Sequence, residues 1–182
     1  LVMDDTIGSE EKNIEPEAYN LILDGLKWLG IDLDKKIIYK SDRLEIYYKH
    51  AEELIQKGAA YVCNCSAEKL RENRKNGIEC SCRNKSLNNN LDEWKEMLRE
   101  KYKEGEAVLR IKTGMNHPNP AFRDRILFRI SSRKHPRVGN KYSVWPMLEL
   151  SWAVDDKLLG ITHVIRGKEL MIESDMERFI WE

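Results

Sequence analysis

Apolar positions along the chain recur with two periods, about 3.6 and 2, and the switches between them mark its elements. Leu1–Met3 reads as the end of a strand, followed by the acidic turn "DDT". In "PEAYNLILDGLKWLGI" (16–31), Tyr19, Ile22, Leu26 and Leu29 form a helical stripe. Pro16 suits its first turn and Gly30 its stop. "KIIYK" (36–40) predicts a short strand. Asp42 and Glu45, spaced like a capping box, predict a helix that uses Leu44, Tyr47, Ala51 and Leu54 and ends at Gly58. "AAYVC" predicts the next strand.

The first 60 residues therefore read strand–helix–strand–helix–strand, the signature of parallel βα units. The pattern then breaks at a cysteine-rich stretch. It continues with an amphipathic helix over 91–102 and two strands, 107–112 and 125–130, that carry alternating basic residues. "KHPRVGNKY" (134–142) reads as a loop. Helix, strand and helix follow over 146–160, 161–166 and 168–181. The expected fold class is α/β. Its Rossmann-type parallel sheet, formed by 1–60 and 146–182, is split by an inserted α+β domain over 61–145.

Charge sharpens this picture. The chain is neutral overall, yet residues 110–141 carry nine Lys/Arg against one acid. Such a stretch fits docking to a phosphate-bearing partner, against the blander reading of a solvated basic surface. No apolar run is long enough to span a bilayer, so no membrane partner is expected. The opening "LVMDDT" has acid where a secretory leader needs base, which points to a cytoplasmic protein. Leu1 is no initiator, so an internal piece of a longer chain is expected.

All four cysteines fall in "CNCSAEKLRENRKNGIECSC", as Cys63, Cys65, Cys80 and Cys82. Two C-x-C turns brought together make a tetrahedral sulfur set, the preference of Zn²⁺, and a closed set of this kind is structural. The alternative is four reduced cysteines without metal. Two matched pairs favour a zinc knuckle. Between the pairs, Lys69, Arg71, Arg74 and Lys75 present cations, with Glu68 and Glu72 among them.

"SDRLEIYYKHAEELIQKGAAYVCNC", "EGEAVLRIKTGMNHPNPAFRDRILFRI", "HPRVGNKYSVWPM" and "DDKLLGITHVIRGKEL" together resemble the glutamyl-tRNA synthetases of the archaeal kind, relatives of the glutaminyl enzymes. The resemblance is collinear over essentially the whole chain. It implies a class I synthetase whose Rossmann domain is split by a domain that holds the tRNA acceptor end. Its substrates would be glutamate, ATP with Mg²⁺, and tRNA(Glu). Glutamate's carboxylate would attack the α-phosphorus, and the terminal ribose hydroxyl of the tRNA would then take the acyl group. The family's HIGH and KMSKS motifs are not in this sequence, so adenylate formation by this piece alone is not expected.

By the same resemblance, Asp4 falls on the acid that receives the substrate's ammonium. Arg166 falls on the arginine that pairs with its γ-carboxylate, and Gly167 and Glu169 lie beside the ATP site. Arg123, His135 and Arg137 match the acceptor-binding domain. With Arg110, Lys112 and Arg133 they are the candidate tRNA contacts. Two positions depart from the family pattern: Val2 stands where arginine is usual, and Leu148 where a substrate-touching tyrosine is usual. A leucine cannot donate a hydroxyl hydrogen bond. The alternative readings are therefore a re-tuned or decayed pocket, or a non-catalytic zinc-stapled module for RNA acceptor stems.

Overall fold

The computed structural model describes residues 1–8, 13–32 and 37–182. Two sheets organise them. The first is a parallel pair, β1 (Val2–Met3) with β2 (Ile38–Tyr39), connected through α1 (Pro16–Trp28). The second is a four-stranded antiparallel sheet in sequential order. Its strands are β3 (Ala60–Cys63), β4 (Val108–Ile111), β5 (Ile126–Ile130) and β6 (Val144–Pro146). The helices are α2 (Leu44–Gln56), α3 (Ala67–Asn76), α4 (Leu87–Leu98), α5 (Leu148–Leu158) and α6 (Met171–Trp181).

The α/β expectation holds for the parallel pair. The expected third parallel strand does not join it: β3 pairs antiparallel with β4, Ala60 opposite Ile111 and Cys63 opposite Val108. The reason is visible in the strand itself, which is buried on both faces. Alternate residues Ala60 and Val62 enter the main core, whereas Tyr61 and Cys63 pack with Leu70 and Cys82 in a second cluster. The antiparallel sheet thus separates a large core from the cysteine module.

Several boundaries moved. The expected strand 161–166 does not form; residues 161–165 are exposed, and Ile165 is 98% so. β-Branched residues favour a strand only where a neighbour supplies the ladder, and the parallel sheet has just two strands among the described residues. Asp42 does not cap α2. It sits in a 3₁₀ turn (Lys40–Asp42) and pairs with Arg137 at 3.0 Å. α1 buries none of its residues fully, and Leu21, Ile22, Trp28 and Leu29 are exposed. Its described ties to β1 and β2 run through Tyr19, whose hydroxyl donates to Asp5 at 3.0 Å and whose ring meets Tyr39. α4 starts earlier than the apolar stripe indicated because Ser86 caps it, accepting from the Asn89 amide. Part of "KIIYK", residue 36, lies outside the described residues.

One hydrophobic core runs from Ile7 through Tyr47, Trp94, Phe128 and Trp145 to Met176, drawing on all three segments. Buried polar ties reinforce it. Arg43, at the N-cap of α2, and Tyr47 on α2 both donate to Asp155 on α5, at 2.8 and 2.7 Å. Arg125, before β5, pairs with Glu149 on α5 and with Glu173 on α6. Burial pushes the Glu149 carboxyl above its usual range, against the pull of the Arg125 charge.

Candidate functional site

The acidic turn after β1 puts Asp4 at the mouth of a cavity floored by α5. Trp152 on α5 donates its indole N–H to Asp4 Oδ2 at 2.9 Å. The Arg166 guanidinium lies over the same indole ring, 4.4 Å from its centroid. Asp4, Trp152 and Arg166 line one pocket together with Lys40, Val2 and Asp156. Leu148, one turn before Trp152 on α5, lines the adjoining pocket, which also contains Asp4 and Trp152. The structure therefore brings Asp4 and Arg166 to one pocket, and places Leu148 in the adjoining one that shares Asp4 and Trp152.

Both charged anchors already have partners from within the chain. Lys40, 2% exposed, donates to Asp4 Oδ2 at 3.2 Å and to Ser151 Oγ at 3.0 Å. Burial lowers its ammonium pKa, and the neighbouring Asp4 charge opposes that shift. Arg166 pairs with Glu177 and with Asp156, the latter at 3.3 Å, and donates to Ser174 Oγ at 3.1 Å. An incoming zwitterion with its own carboxylate would exchange with these internal pairs. Gly167 and Glu169 are exposed in the segment entering α6, outside the pocket that holds Asp4 and Arg166. A Cβ at Gly167 would meet the Glu169 carboxylate at 2.2 Å, so the two residues lie against each other. Trp152 and Lys40 were not singled out in the sequence. The signal for Trp152 was its i+4 spacing from Leu148 on a helix.

The cysteine module forms the second site. β3 supplies Cys63, the turn after it Cys65, and the 3₁₀ segment Ser81–Asn84 with its N-cap supplies Cys82 and Cys80. α3 bridges the pairs, capped by Ser66 and stopped by Gly77 at φ +70°. All four Sγ atoms lie within 4.8 Å of one another, and Cys63 and Cys80 approach to 3.7 Å. Four sulfurs this close could hold a metal ion. Burial pushes the Cys63 thiol up.

The basic stretch is the main correction. Arg110 is 1% exposed and turned under the cysteine cluster, so it cannot meet a polyanion at the surface. His135 is fully buried and stacked on Trp145. Its Nδ1 accepts from the Arg137 and Val138 amides, which leaves Nε2–H to donate to the Asp5 carbonyl at 2.6 Å. Arg137 crosses to the parallel sheet, lying 3.6 Å above the Tyr39 ring and bonding Ser41 and Asp42. Arg110 and His135 brace the interior, while Arg137 bridges two segments at the surface with its side chain 29% exposed. Arg123 donates to the Arg74 and Lys75 carbonyls and so caps the C-terminus of α3. Lys112, over Tyr61, and Arg133, beside Ser131, are half-buried at the rim. Part of the +8 of residues 110–141 is thus engaged in internal contacts, through Arg110, Arg123 and Arg125, whereas Lys134, Arg137 and Lys141 stay exposed.

Residues 1–181 match the tRNA synthetases class I (E and Q), catalytic domain. The chain belongs to this family. Among synthetases of this group it is 52% identical over 183 residues to the glutamate–tRNA ligase of Pyrococcus horikoshii, covering 100% of this chain and 32% of that protein. It is 46% identical to the glutamate–tRNA ligase of Methanothermobacter marburgensis, covering 95% of this chain and 31% of that protein. The chain thus spans about a third of the length of these relatives. Its fold is similar to that of a glutamate tRNA ligase from Elizabethkingia meningosepticum in complex with its amino acid, with a TM-score of 0.59 and 21% identity. That likeness covers 94% of this chain and 38% of the other. Among the described residues, no helix is long and apolar enough to cross a membrane.

Proposed function

We propose that the chain is the glutamate-recognising and acceptor-end-holding part of a cytoplasmic, ATP-dependent glutamate–tRNA ligase. The observation that carries this reading is the shared pocket in which Asp4 and Arg166 flank Trp152. A carboxylate at the edge of one indole ring and a guanidinium over its face suit the ammonium and the γ-carboxylate of glutamate. The guanidinium has donors only, so it offers nothing to an amide NH₂ and favours glutamate over glutamine. In this reading the α-carboxylate of glutamate attacks the α-phosphorus of ATP and pyrophosphate leaves. The tRNA ribose hydroxyl then attacks the acyl carbon of the adenylate, takes the acyl group as an ester, and AMP leaves. Mg²⁺ accompanies ATP, whose site lies towards Gly167 and Glu169.

Residues 61–145 are read as the inserted acceptor-binding domain between the 1–60 and 146–182 parts of a Rossmann domain. The separate antiparallel sheet, bounded by Ala60 and Pro146, supports that division. Lys112, Arg133 and the exposed Arg137 remain the candidates for contact with acceptor-stem phosphates of tRNA(Glu). The cysteine cluster is read as a structural Zn²⁺ site. Zn–S bonds of about 2.3 Å give a tetrahedron with edges of about 3.8 Å, and the Cys63–Cys80 separation of 3.7 Å agrees.

A second reading rests on the internal pairing of both anchors, Asp4 by Lys40 and Arg166 by Asp156 and Glu177. With Leu148 offering no hydroxyl, it makes the chain a re-tuned or non-catalytic module that binds RNA only. Calorimetry on the full ligase that carries this chain separates the two. Glutamate is expected to bind, and Arg166→Leu to weaken it about 30-fold or more, since truncating one partner of a buried charge pair costs about 2–5 kcal/mol. RNA binding without any glutamate heat would establish the second reading instead.

A further inference from the structure

Arg110 sits where the two cysteine pairs meet. The ladder register shifts between Leu109 and Arg110, an irregularity that re-aims the side chain at this point. Its guanidinium lies 5.4 Å from the centroid of the Tyr61 ring, which stands opposite it in the sheet. Nε donates to the Asp124 carbonyl oxygen at 2.8 Å, and Nη2 faces the Met115 sulfur at 3.6 Å. Nη1 is 3.8 Å from Cys63 Sγ and 3.9 Å from Cys80 Sγ, so one nitrogen spans both C-x-C pairs.

The charge balance is what makes this arrangement informative. Arginine keeps its proton in proteins, so a full positive charge stands here at 1% exposure. No carboxylate forms an ion pair with it among the described residues. The Asp124 carboxylate is taken by Tyr61, Arg83 and the Gly114 amide. A buried charge without an opposite charge is strongly unfavourable. Asp124 still acts on Arg110 as an opposite charge, though its carboxylate is shared with Arg83. The groups that meet the guanidinium directly are the sulfurs, and four thiolates around a divalent ion would carry a net charge of −2.

We propose that Arg110 is the internal counter-cation of the Cys63, Cys65, Cys80 and Cys82 metal site, bridging its two cysteine pairs through N–H···S bonds and thereby setting how tightly metal is held. This rests on the metal reading given above. Arg110 is a positioning residue: it touches ligand atoms, not the ion. The two N–H···S bonds withdraw electron density from one sulfur of each pair and fix the pairs relative to each other before metal arrives.

The test uses Zn²⁺ and Co²⁺ with wild type, Arg110→Met and Arg110→Lys. Zinc affinity is read by competition with a chromophoric chelator, and sulfur electronics by the thiolate-to-cobalt charge-transfer band. Arg110→Met is expected to lower zinc affinity about 10- to 100-fold and to move the charge-transfer band to lower energy, because sulfurs relieved of hydrogen bonds donate more readily. Arg110→Lys keeps the charge without the planar fork and should fall between. The band shift distinguishes this role from mere packing. Wild type binding one equivalent while Arg110→Met keeps both affinity and spectrum would overturn the proposal. Should Arg110→Met not fold, Arg110→Lys decides: unaltered affinity and an unshifted band overturn the bridge. Wild type that binds no metal overturns the metal reading itself.

Discussion

If the cysteine cluster holds structural zinc as proposed, adding a chelator, or replacing Cys80 by Ser, is expected to release residues 64–85 from protection against amide exchange while α2, α4 and β3–β6 stay protected. The reason lies in how small the module's own apolar core is. Its cluster of buried residues is Tyr61, Cys63, Leu70 and Cys82, with Cys65, Cys80 and Val108 packed against it. Four of those seven are the sulfur ligands themselves. α3 has only 10 residues and buries just Leu70 and Asn73. Isolated helices below about 12–15 residues are marginal in water. Structural zinc contributes about 10–16 kcal/mol of apparent binding energy in small zinc-finger peptides, far more than one buried Leu side chain, worth about 1.5–3 kcal/mol. The strands that flank the module differ. Their opposite faces insert Ala60, Val62, Leu109 and Ile111 into the large core, which no metal supports. Exchange measured by mass spectrometry with and without chelator should therefore show a sharp edge at β3, with protection in 64–85 falling at least about 100-fold, a change of about 2.7 kcal/mol or more. Equal protection in both samples would remove the case for a structural metal.

How much of this was legible from the residues alone depended on whether the signal was local. Helix α2 could be read because Leu44, Tyr47 and Ala51 repeat at helical spacing, and all three are buried. The cysteine cluster could be read because two matched C-x-C pairs have few other uses. The direction of the basic side chains could not. Nothing in "KHPRVGNKY" says that His135 turns inward to the Asp5 carbonyl or that Arg137 reaches Ser41 and Asp42. Those partners lie about 90–130 positions away in the chain, and charge type alone predicts a solvated face. The strand expected at 161–166 failed for a related reason: strand content is local, whereas a ladder needs a neighbour. The amino-acid pocket was half legible. Asp4, Arg166 and Leu148 were singled out. Trp152, which ties the first two together, read as one more apolar position of α5.

Asp124→Ala is expected to cost about 3–5 kcal/mol of stability. The lone acid among nine basic residues of 110–141 is 0% exposed. Its Oδ2 accepts from the Tyr61 hydroxyl and from Arg83 Nε, both at 2.9 Å, and its Oδ1 accepts from the Gly114 amide at 2.9 Å. Its own amide donates to Thr113 Oγ1, and its carbonyl accepts from Arg110. One residue thereby joins β3, the loop after β4, and the 3₁₀ segment that carries Cys82. Alanine removes all three side-chain bonds and leaves the Tyr61 hydroxyl and the Gly114 N–H buried without partners. Arg83 suffers less, because it is 20% exposed and also pairs with Glu79. Backbone geometry adds to the loss: φ at Asp124 is +32°, a region that Asp and Asn tolerate better than Ala. Asp124→Asn separates the contributions. It keeps the size and the backbone preference, but its NH₂ must face one of the three donors, so a smaller cost of about 1–3 kcal/mol is expected. Urea unfolding at constant m-value measures both. If Asp124→Ala stays within about 0.5 kcal/mol of wild type, the range of ordinary surface changes, then the knuckle is held to the sheet by its sulfurs alone and the Asp124 hub is incidental.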